Sequence, residues 1–192
     1  NDDVADEWLG TTTTPTIVWT SAADITTVTY DIEIKESGAV KCSEYDSIQA
    51  PATEFNLSGC DLVDGTTYSI DITATDEAEQ STSATQKEFT VDETPPGSFN
   101  VTGATGGTGD TTPDNFLKDG LFVTANWGSS TGADKYAVSV LKSDNSTEMC
   151  AEQIVTGTSH AFSSCQLENA KEYYLKVEAQ DDAGNVRSAD NS

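Results

Sequence analysis

Carboxylates are the most abundant side chains in this sequence that could do chemistry, and their number weakens any catalytic interpretation. The 192 residues contain 33 Asp and Glu but a single histidine, His160. A pair of carboxylates can act as acid and base on a glycosidic bond, yet among so many acids such pairs arise by chance. The motifs Gly-x-Ser-x-Gly, Gly-x-x-x-x-Gly-Lys and His-Glu-x-x-His are absent from the sequence. We therefore predict no catalytic residues, and we expect His160 to be an exposed loop side chain.

The four cysteines favour two disulfide bonds. Cys42 and Cys60 fall in the first half of the chain, and Cys150 and Cys165 fall in the second half at similar spacing. Zinc binding is the alternative, but there is no Cys-x-x-Cys and only one histidine to complete a site. Pairing within each half follows from the symmetry, and disulfides indicate an oxidising compartment, extracellular or at the cell surface.

A duplicated pattern predicts the elements that hold these residues. Residues 62–76 and 167–181 share the same spacing from a leucine to a tyrosine and on to an aspartate. Between tyrosine and aspartate, apolar residues alternate with polar ones, which is typical of a strand with one buried face. The alternating apolar residues are Tyr68, Ile70, Ile72 and Ala74 in one copy and Tyr173, Leu175, Val177 and Ala179 in the other. A leucine in a loop followed by a tyrosine that opens a strand is typical of a β-sandwich corner.

The duplication predicts an all-β protein of two tandem sandwich domains. We place them at residues 1–93 and 94–192, joined at Pro95 and Pro96, which end strand pairing and stiffen the connection. Residues 1–12 are predicted to be an N-terminal extension that forms either a first strand or a linker. Residues 103–120, rich in Gly, Thr and Asp, are predicted to be a loop insertion in the second domain.

The charge of the chain limits its partners. The formal net charge is −24, and such a surface repels nucleic-acid backbones and anionic lipid headgroups. No apolar run reaches the roughly 20 residues of a membrane helix, so we expect no membrane insertion by this segment. The sequence begins and ends abruptly, and we expect it to neighbour other domains of a longer chain.

Each half of the chain resembles a fibronectin type III domain, an immunoglobulin-like β-sandwich. The residues that carry the resemblance are Trp19, Tyr30, Leu62 and Tyr68 in the first half, and Trp127, Tyr136, Leu167 and Tyr173 in the second. The two tryptophans are then expected in the cores. Residues 91–96 and 179–185 also resemble the repeats of large bacterial surface and adhesion proteins. Domains of this family usually lack disulfides, so the paired cysteines are a departure from it.

The topology implied by this resemblance brings acidic loops to the junction of the domains. No cofactor is required by the sequence, but oxygen ligands from flexible loops suit calcium, so a calcium site is one hypothesis for this junction and solvated acidic loops are the other. The predicted ligands are Asp61, Asp64, Asp92, Glu93, Asp181 and Asp182. Exposed loops of the second domain are predicted binding residues, namely Asp110, Asp114, Asn115, Asp119 and Asn185.

The expected function is non-catalytic. We expect an extracellular or cell-surface module for adhesion or recognition, acting as a rigid spacer or as a binding segment toward a protein or glycan on a cell surface. One alternative is an accessory module of a secreted polysaccharide-degrading enzyme, with Trp8, Tyr45 and Tyr174 as the candidate sugar-binding aromatics. A receptor ectodomain is the other.

Overall fold

The computed structural model describes residues 8–10, 14–24, 26–107, 109–117, 122–144, 147–163 and 165–191. The chain divides into two compact units, Asn1–Thr94 and Pro95–Ser192, which we call domain 1 and domain 2. The described residues form strands, turns and loops but no helix, and so include no helix that could cross a membrane.

The described residues of domain 1 form two sheets. The strands are β1 (Trp8–Leu9), β2 (Thr16–Val18), β3 (Val28–Glu36), β4 (Ala39–Gln49), β5 (Glu54–Asn56), β6 (Thr67–Asp76), β7 (Ser81–Ser83) and β8 (Lys87–Val91). The larger sheet has the order β1-β8-β6-β3-β4, with β7 also beside β6, and the smaller sheet pairs β2 with β5. β1 runs parallel to β8, while the other pairs are antiparallel.

Strict alternation builds the core of domain 1. Along β3, every second residue from Val28 to Ile34 is buried, while Asp31, Glu33 and Lys35 between and after them face the opposite side. The predicted alternation in β6 is confirmed, with Tyr68 and Ile72 buried and Ile70 and Ala74 packed against the same cluster. The apolar face of the larger sheet therefore closes over the β2–β5 pair.

Domain 2 repeats this plan with one additional strand in its smaller sheet. Its strands are β9 (Val101–Gly106), β10 (Val123–Trp127), β11 (Lys135–Lys142), β12 (Glu148–Val155), β13 (Ser159–Phe162), β14 (Tyr173–Gln180) and β15 (Val186–Ser188). One sheet has the order β13-β10-β9 and the other β12-β11-β14-β15, all antiparallel. Within the described ranges of domain 1, no strand takes beside β2 the position that β9 takes beside β10.

Two expectations about domain 2 need correction. Residues 103–106 of the predicted insertion 103–120 are not a loop, because they belong to β9 and pair with β10. Glycine suits this strand: Gly103 has φ +128°, and a Cβ there would lie 2.7 Å from the Asp114 carbonyl oxygen. His160 lies in β13 rather than in a loop, half-buried with its ring centroid 4.7 Å from that of Phe162.

The two tryptophans take the positions expected of them. Trp127 is buried in the domain 2 core, and Trp19 is half-buried against the domain 1 core. Each packs on the tyrosine of the next strand, with ring centroids 5.2 Å apart for Trp19 and Tyr30 and 5.6 Å for Trp127 and Tyr136. Aromatic pairs at this separation stabilise a core beyond the area that they bury.

The corner predicted from the duplicated pattern is present in both domains. The Tyr68 hydroxyl accepts a hydrogen bond from the backbone N–H of Val63 at 2.9 Å, and the Tyr173 hydroxyl accepts one from Glu168 at 2.7 Å. This is the tyrosine corner of β-sandwich domains. It fixes where the connection from the smaller sheet enters β6 or β14.

A disulfide ties each corner to the edge of the larger sheet. Cys42 on β4 pairs with Cys60, and Cys150 on β12 pairs with Cys165, as predicted. Their Cα atoms lie 5.3 and 5.1 Å apart, within the usual range. Closing loops with sequence separations of 18 and 15 residues stabilises each domain by about 3 kcal/mol in the chain-entropy model.

Removing the corner hydroxyls is predicted to destabilise each domain separately. Tyr68→Phe and Tyr173→Phe should each lower the free energy of unfolding of their own domain by about 1 kcal/mol, since one hydrogen bond is lost. Urea unfolding followed by NMR signals from β6 and β14 measures the free energy of unfolding of domain 1 and of domain 2. Tyr45→Phe, on the exposed edge strand β4, is the control and should change stability by less. Equal effects of all three changes would contradict a special role of the corner.

Candidate functional site

Asp64 binds the end of domain 1 to its corner loop. Its Oδ1 accepts a hydrogen bond from the Glu93 backbone N–H at 2.8 Å, and its Oδ2 accepts one from the Thr94 hydroxyl at 3.0 Å. The hydrogen bond from Glu93, with that from Thr94, holds the pKa of the Asp64 carboxyl below its ordinary value. Asp92 accepts a further bond from the Thr94 backbone N–H at 2.9 Å. The two aspartates thus hold the chain where it leaves β8.

Asp181 organises the turn between β14 and β15. It is buried, its Oδ1 accepts from the Asn185 backbone N–H at 2.8 Å, and its Oδ2 accepts from the Asn185 side-chain amide at 3.0 Å. The backbone N–H of Asp181 also donates to the Asn185 carbonyl oxygen at 3.2 Å. Asp182 beside it is exposed. Asp181 and Asn185 therefore form one closed turn.

The predicted calcium ligands are divided between the domains, with Asp61, Asp64, Asp92 and Glu93 in domain 1 and Asp181 and Asp182 in domain 2. Within the described residues of either domain, no group of three or more His, Cys, Asp or Glu side chains is placed to hold a metal ion. Asp61 and Glu93 are exposed. Both carboxylate oxygens of Asp64 and of Asp181 accept hydrogen bonds from their own domain. Calcium binding stays a prediction from the sequence.

The predicted binding residues after β9 have local structural roles. Asp110 Oδ2 accepts from the Gly106 backbone N–H at 2.7 Å. Asp114 exchanges two backbone hydrogen bonds with Ala104, and its Oδ1 accepts from the Phe116 backbone N–H at 2.7 Å. Asn115 is exposed, and Asp119 lies outside the described residues. Sequence reasoning missed Phe116, which is 82% exposed.

The candidate sugar-binding aromatics do not lie side by side within one domain. Trp8 lies on β1 and Tyr45 on β4, which are the two outermost strands of one sheet. Four strand spacings, about 19 Å, separate those strands. Tyr174 belongs to domain 2. These three residues therefore do not form one aromatic platform within a domain.

The outer face of the larger sheet in domain 1 is charged and solvated. The Lys35 ammonium lies 2.6 Å from Glu33 Oε2 and 2.6 Å from Asp71 Oδ2. The hydrogen bond from Lys35 lowers the pKa of both carboxyls, and these two partners raise the pKa of Lys35. All three side chains remain partly exposed, so this network adds little stability.

On the same face of domain 2 the middle of strand β11 carries no charge, which sequence reasoning missed, and the charges lie on β14, where Lys176 pairs with Glu178 at 2.9 Å. Ala137, Ser139 and Leu141 of β11 occupy the outer face, since Tyr136, Val138 and Val140 between them lie in the core. A signal was available in the sequence. From residue 136 to residue 141 the strand carries no charge on either face, and a continuous uncharged run is typical of a strand covered on both sides.

Comparisons with known proteins identify the fold. No family model matches the chain, and no curated protein matches it. The FN1–FN3 domains of chicken CNTN1 are similar, with a TM-score of 0.61 and 11% identity over 97% of this chain, which spans 61% of the length of that structure. The fibronectin(III)-like modules of Clostridium thermocellum CbhA are similar with a TM-score of 0.55 and 13% identity, over 100% of this chain and 90% of theirs. The fold is that of tandem fibronectin type III domains, as the sequence resemblance implied.

The hydrogen bonds to Asp64 predict a pH-dependent contribution to domain 1. Because its folded-state pKa is lowered, ionised Asp64 stabilises the fold above its unfolded-state pKa of about 3.9. That stabilisation is lost as the pH falls through the lower folded-state value. The difference in free energy of unfolding between the protein and Asp64→Asn should therefore shrink below about pH 4.

Urea unfolding followed by NMR signals from β6 and β8 between pH 7 and pH 2 measures this difference. Asp61→Asn removes the same charge from the same exposed loop and is the control. A difference that stays constant across the whole range would show that the Asp64 hydrogen bonds do not depend on its charge.

The calcium prediction is tested by thermal melting with millimolar CaCl₂ against EDTA, with MgCl₂ as the ion control. A ligand that binds only the folded state adds about 2.7 kcal/mol at 100 times its Kd, which moves a midpoint by several degrees. A rise specific to calcium, lost in Asp182→Asn, is the expected result. Coincident melts would overturn the prediction.

Proposed function

We propose that this chain is a non-catalytic segment of an extracellular or cell-surface protein that acts in adhesion or recognition, as a spacer or as a binding segment. The observation that carries the proposal is the duplicated arrangement of disulfide and tyrosine corner in two tandem domains. Residues 91–96 and 179–185, which resemble the repeats of bacterial surface proteins, support a bacterial surface protein as the parent.

The cysteines support the assigned compartment. All four are paired within their own domains, and none is free. Disulfides form and persist in oxidising compartments such as the cell exterior, whereas cytosolic thiols are kept reduced. A small sandwich exposed to such an environment gains stability from the bond without a larger core.

The ends of the connection support a spacer role. Asp64 holds Glu93 and Thr94 to domain 1. In domain 2, the Gly97 backbone N–H donates to the Thr131 carbonyl at 2.8 Å, and the Ser130 hydroxyl donates to the Gly97 carbonyl at 2.6 Å. Only Pro95 and Pro96 lie between these hydrogen-bonded ends, and a proline ring fixes φ. The connection thus has few freely rotating bonds.

The charge indicates the kind of partner. A chain with a net charge of −24 attracts cationic surfaces and repels nucleic acid and anionic lipid. A protein or glycan on a cell surface is therefore the proposed partner class.

The location is tested with an antibody raised against this chain. We expect it to label intact, unpermeabilised cells of the source organism or to detect the antigen in the culture medium. Antigen found only after permeabilisation would overturn the proposal.

Replacing the two domains distinguishes a spacer role from a binding role. In the full-length protein, the two domains are exchanged for two unrelated β-sandwich domains of similar length. Unchanged adhesion to the natural surface is the result expected of a spacer, while adhesion lost without loss of display indicates a binding segment. Deletion of both domains is the control and should reduce adhesion in either case.

A further inference from the structure

The smaller sheet of domain 1 has an open edge at β2. The Trp19 backbone N–H, directly after this strand, donates to the Thr53 carbonyl oxygen on the side of β5 at 2.9 Å. Because successive residues of a strand direct their N–H and C=O groups to opposite edges, the backbone groups of Thr16 and Val18 face away from β5. Among the strands that the structure describes in domain 1, none lies beside β2 on that side. The edge is therefore open to a further strand.

Domain 2 shows what kind of strand fits at this position. The Trp127 backbone N–H donates to the Thr158 carbonyl oxygen at 3.0 Å in the way that Trp19 does in domain 1, so β10 is equivalent to β2 and β13 to β5. In domain 2 the position is filled by β9, which runs antiparallel to β10. Ala104 of β9 is in register with Ala125 and is buried. A small side chain is therefore sufficient where such a strand faces the core.

The core of domain 1 is less covered beside this edge. Trp127 is 4% exposed in domain 2, where it is in register with Val101 of β9, whereas the equivalent Trp19 is only half-buried. Val18 next to it is 58% exposed. β2 also carries neither a charge nor a bulge, which are two of the features that protect edge strands from pairing. A partner strand would thus cover apolar side chains as well as pair with the backbone.

The charge of domain 1 favours a cationic partner at this edge. The cationic side chains of the domain are Lys35, Lys41 and Lys87, and its other charged side chains are carboxylates. Glu54 of β5 is exposed and in register with Val18, so it places a carboxylate on the solvent face near the edge. A second copy of this chain would bring like charges together. Charge complementarity therefore supports a cationic segment of another protein.

We propose that an extended cationic segment of another protein adds to domain 1 as a strand antiparallel to β2. Its backbone pairs with the outward N–H and C=O groups of Thr16 and Val18, which is a common way for a sheet edge to bind a peptide. Valine or threonine of the segment lies beside Val18, alanine or glycine faces the core, and flanking Lys or Arg side chains lie near Glu54. This names a partner for the recognition role proposed above and rests on it.

Hydrogen exchange of the whole chain, with and without a synthetic peptide, tests the proposal. In the free chain, the Thr16 and Val18 amides should exchange rapidly, whereas the Ile17 amide, which faces β5, should exchange more slowly. The peptide Lys-Val-Ala-Val-Ala-Val-Lys should protect the Thr16 and Val18 amides at physiological salt. Amides already protected in the free chain would mean that the chain covers its own edge. That result, or amides left unprotected by the peptide, would overturn the proposal.

Two modified peptides distinguish strand addition from general charge attraction. In the proposed register, the N–H groups of the peptide valines face β2 and those of the alanines face solvent. N-methylation of the valines should therefore weaken binding about tenfold or more, since it removes the donors that pair with β2. N-methylation of the alanines should leave binding nearly unchanged. Equal affinities of the two modified peptides would show only charge attraction and would overturn the proposal.

Two exposed valines of domain 1 provide a matched pair of variants. Val18→Ser should weaken peptide binding about threefold, because it removes the apolar cross-strand contact at the edge. Val63, in the corner loop, is 54% exposed, and Val63→Ser should have no effect. Equal effects of the two changes would contradict the assignment to β2. Peptide binding does not depend on where the protein is located, so its failure is distinguishable from failure of the proposed function.

Discussion

Each domain depends on how the connection between its two sheets is held. A β-sandwich has no helix to cover that connection, so its backbone must find partners in the sheets themselves. Here the hydroxyl of Tyr68 or Tyr173 binds the backbone just before its strand, and a disulfide binds the same connection to the edge strand β4 or β12. The two attachments lie a few residues apart, so they fix the register of the central strand β6 or β14. The alternation of that strand then decides which face of the sheet is buried.

Because this constraint is local in sequence, most of the fold was predictable. The Leu–Tyr spacing, the cysteine pairs and the period of two each indicate a buried strand that follows a fixed corner. The predictions that were wrong concerned segments whose residue types fit either a strand or a loop. Gly103 and Ala104 have weak strand preferences, yet they pair with β10. Position 103 requires glycine because Asp114 approaches too closely for any larger side chain. His160 was predicted to lie in a loop, but β13 begins at Ser159, so the histidine lies in the strand and packs on Phe162.

The candidate site was less predictable, since a carboxylate in a loop can bind a cation, water or its own backbone. Asp64, Asp110 and Asp181 each accept backbone N–H groups, which composition does not reveal. In a structure built from strands, turns and loops, the connections contain many N–H groups without strand partners, and aspartate is well suited to pair them. These aspartates therefore support the turns of the chain itself.

The difference between the two outer faces follows from the same framework. The corner and the disulfide hold the larger sheet through its inner face, so the outer face can change without disturbing the core. In domain 1 the outer face has Lys35 between Glu33 and Asp71, and these charged side chains keep the surface hydrated. In domain 2 the equivalent residues of β11 are uncharged and buried, and the Lys176–Glu178 ion pair of β14 lies beside them on the same face. The two domains thus keep one core plan, while the charges of the outer face lie on β3 and β6 in domain 1 and on β14 in domain 2.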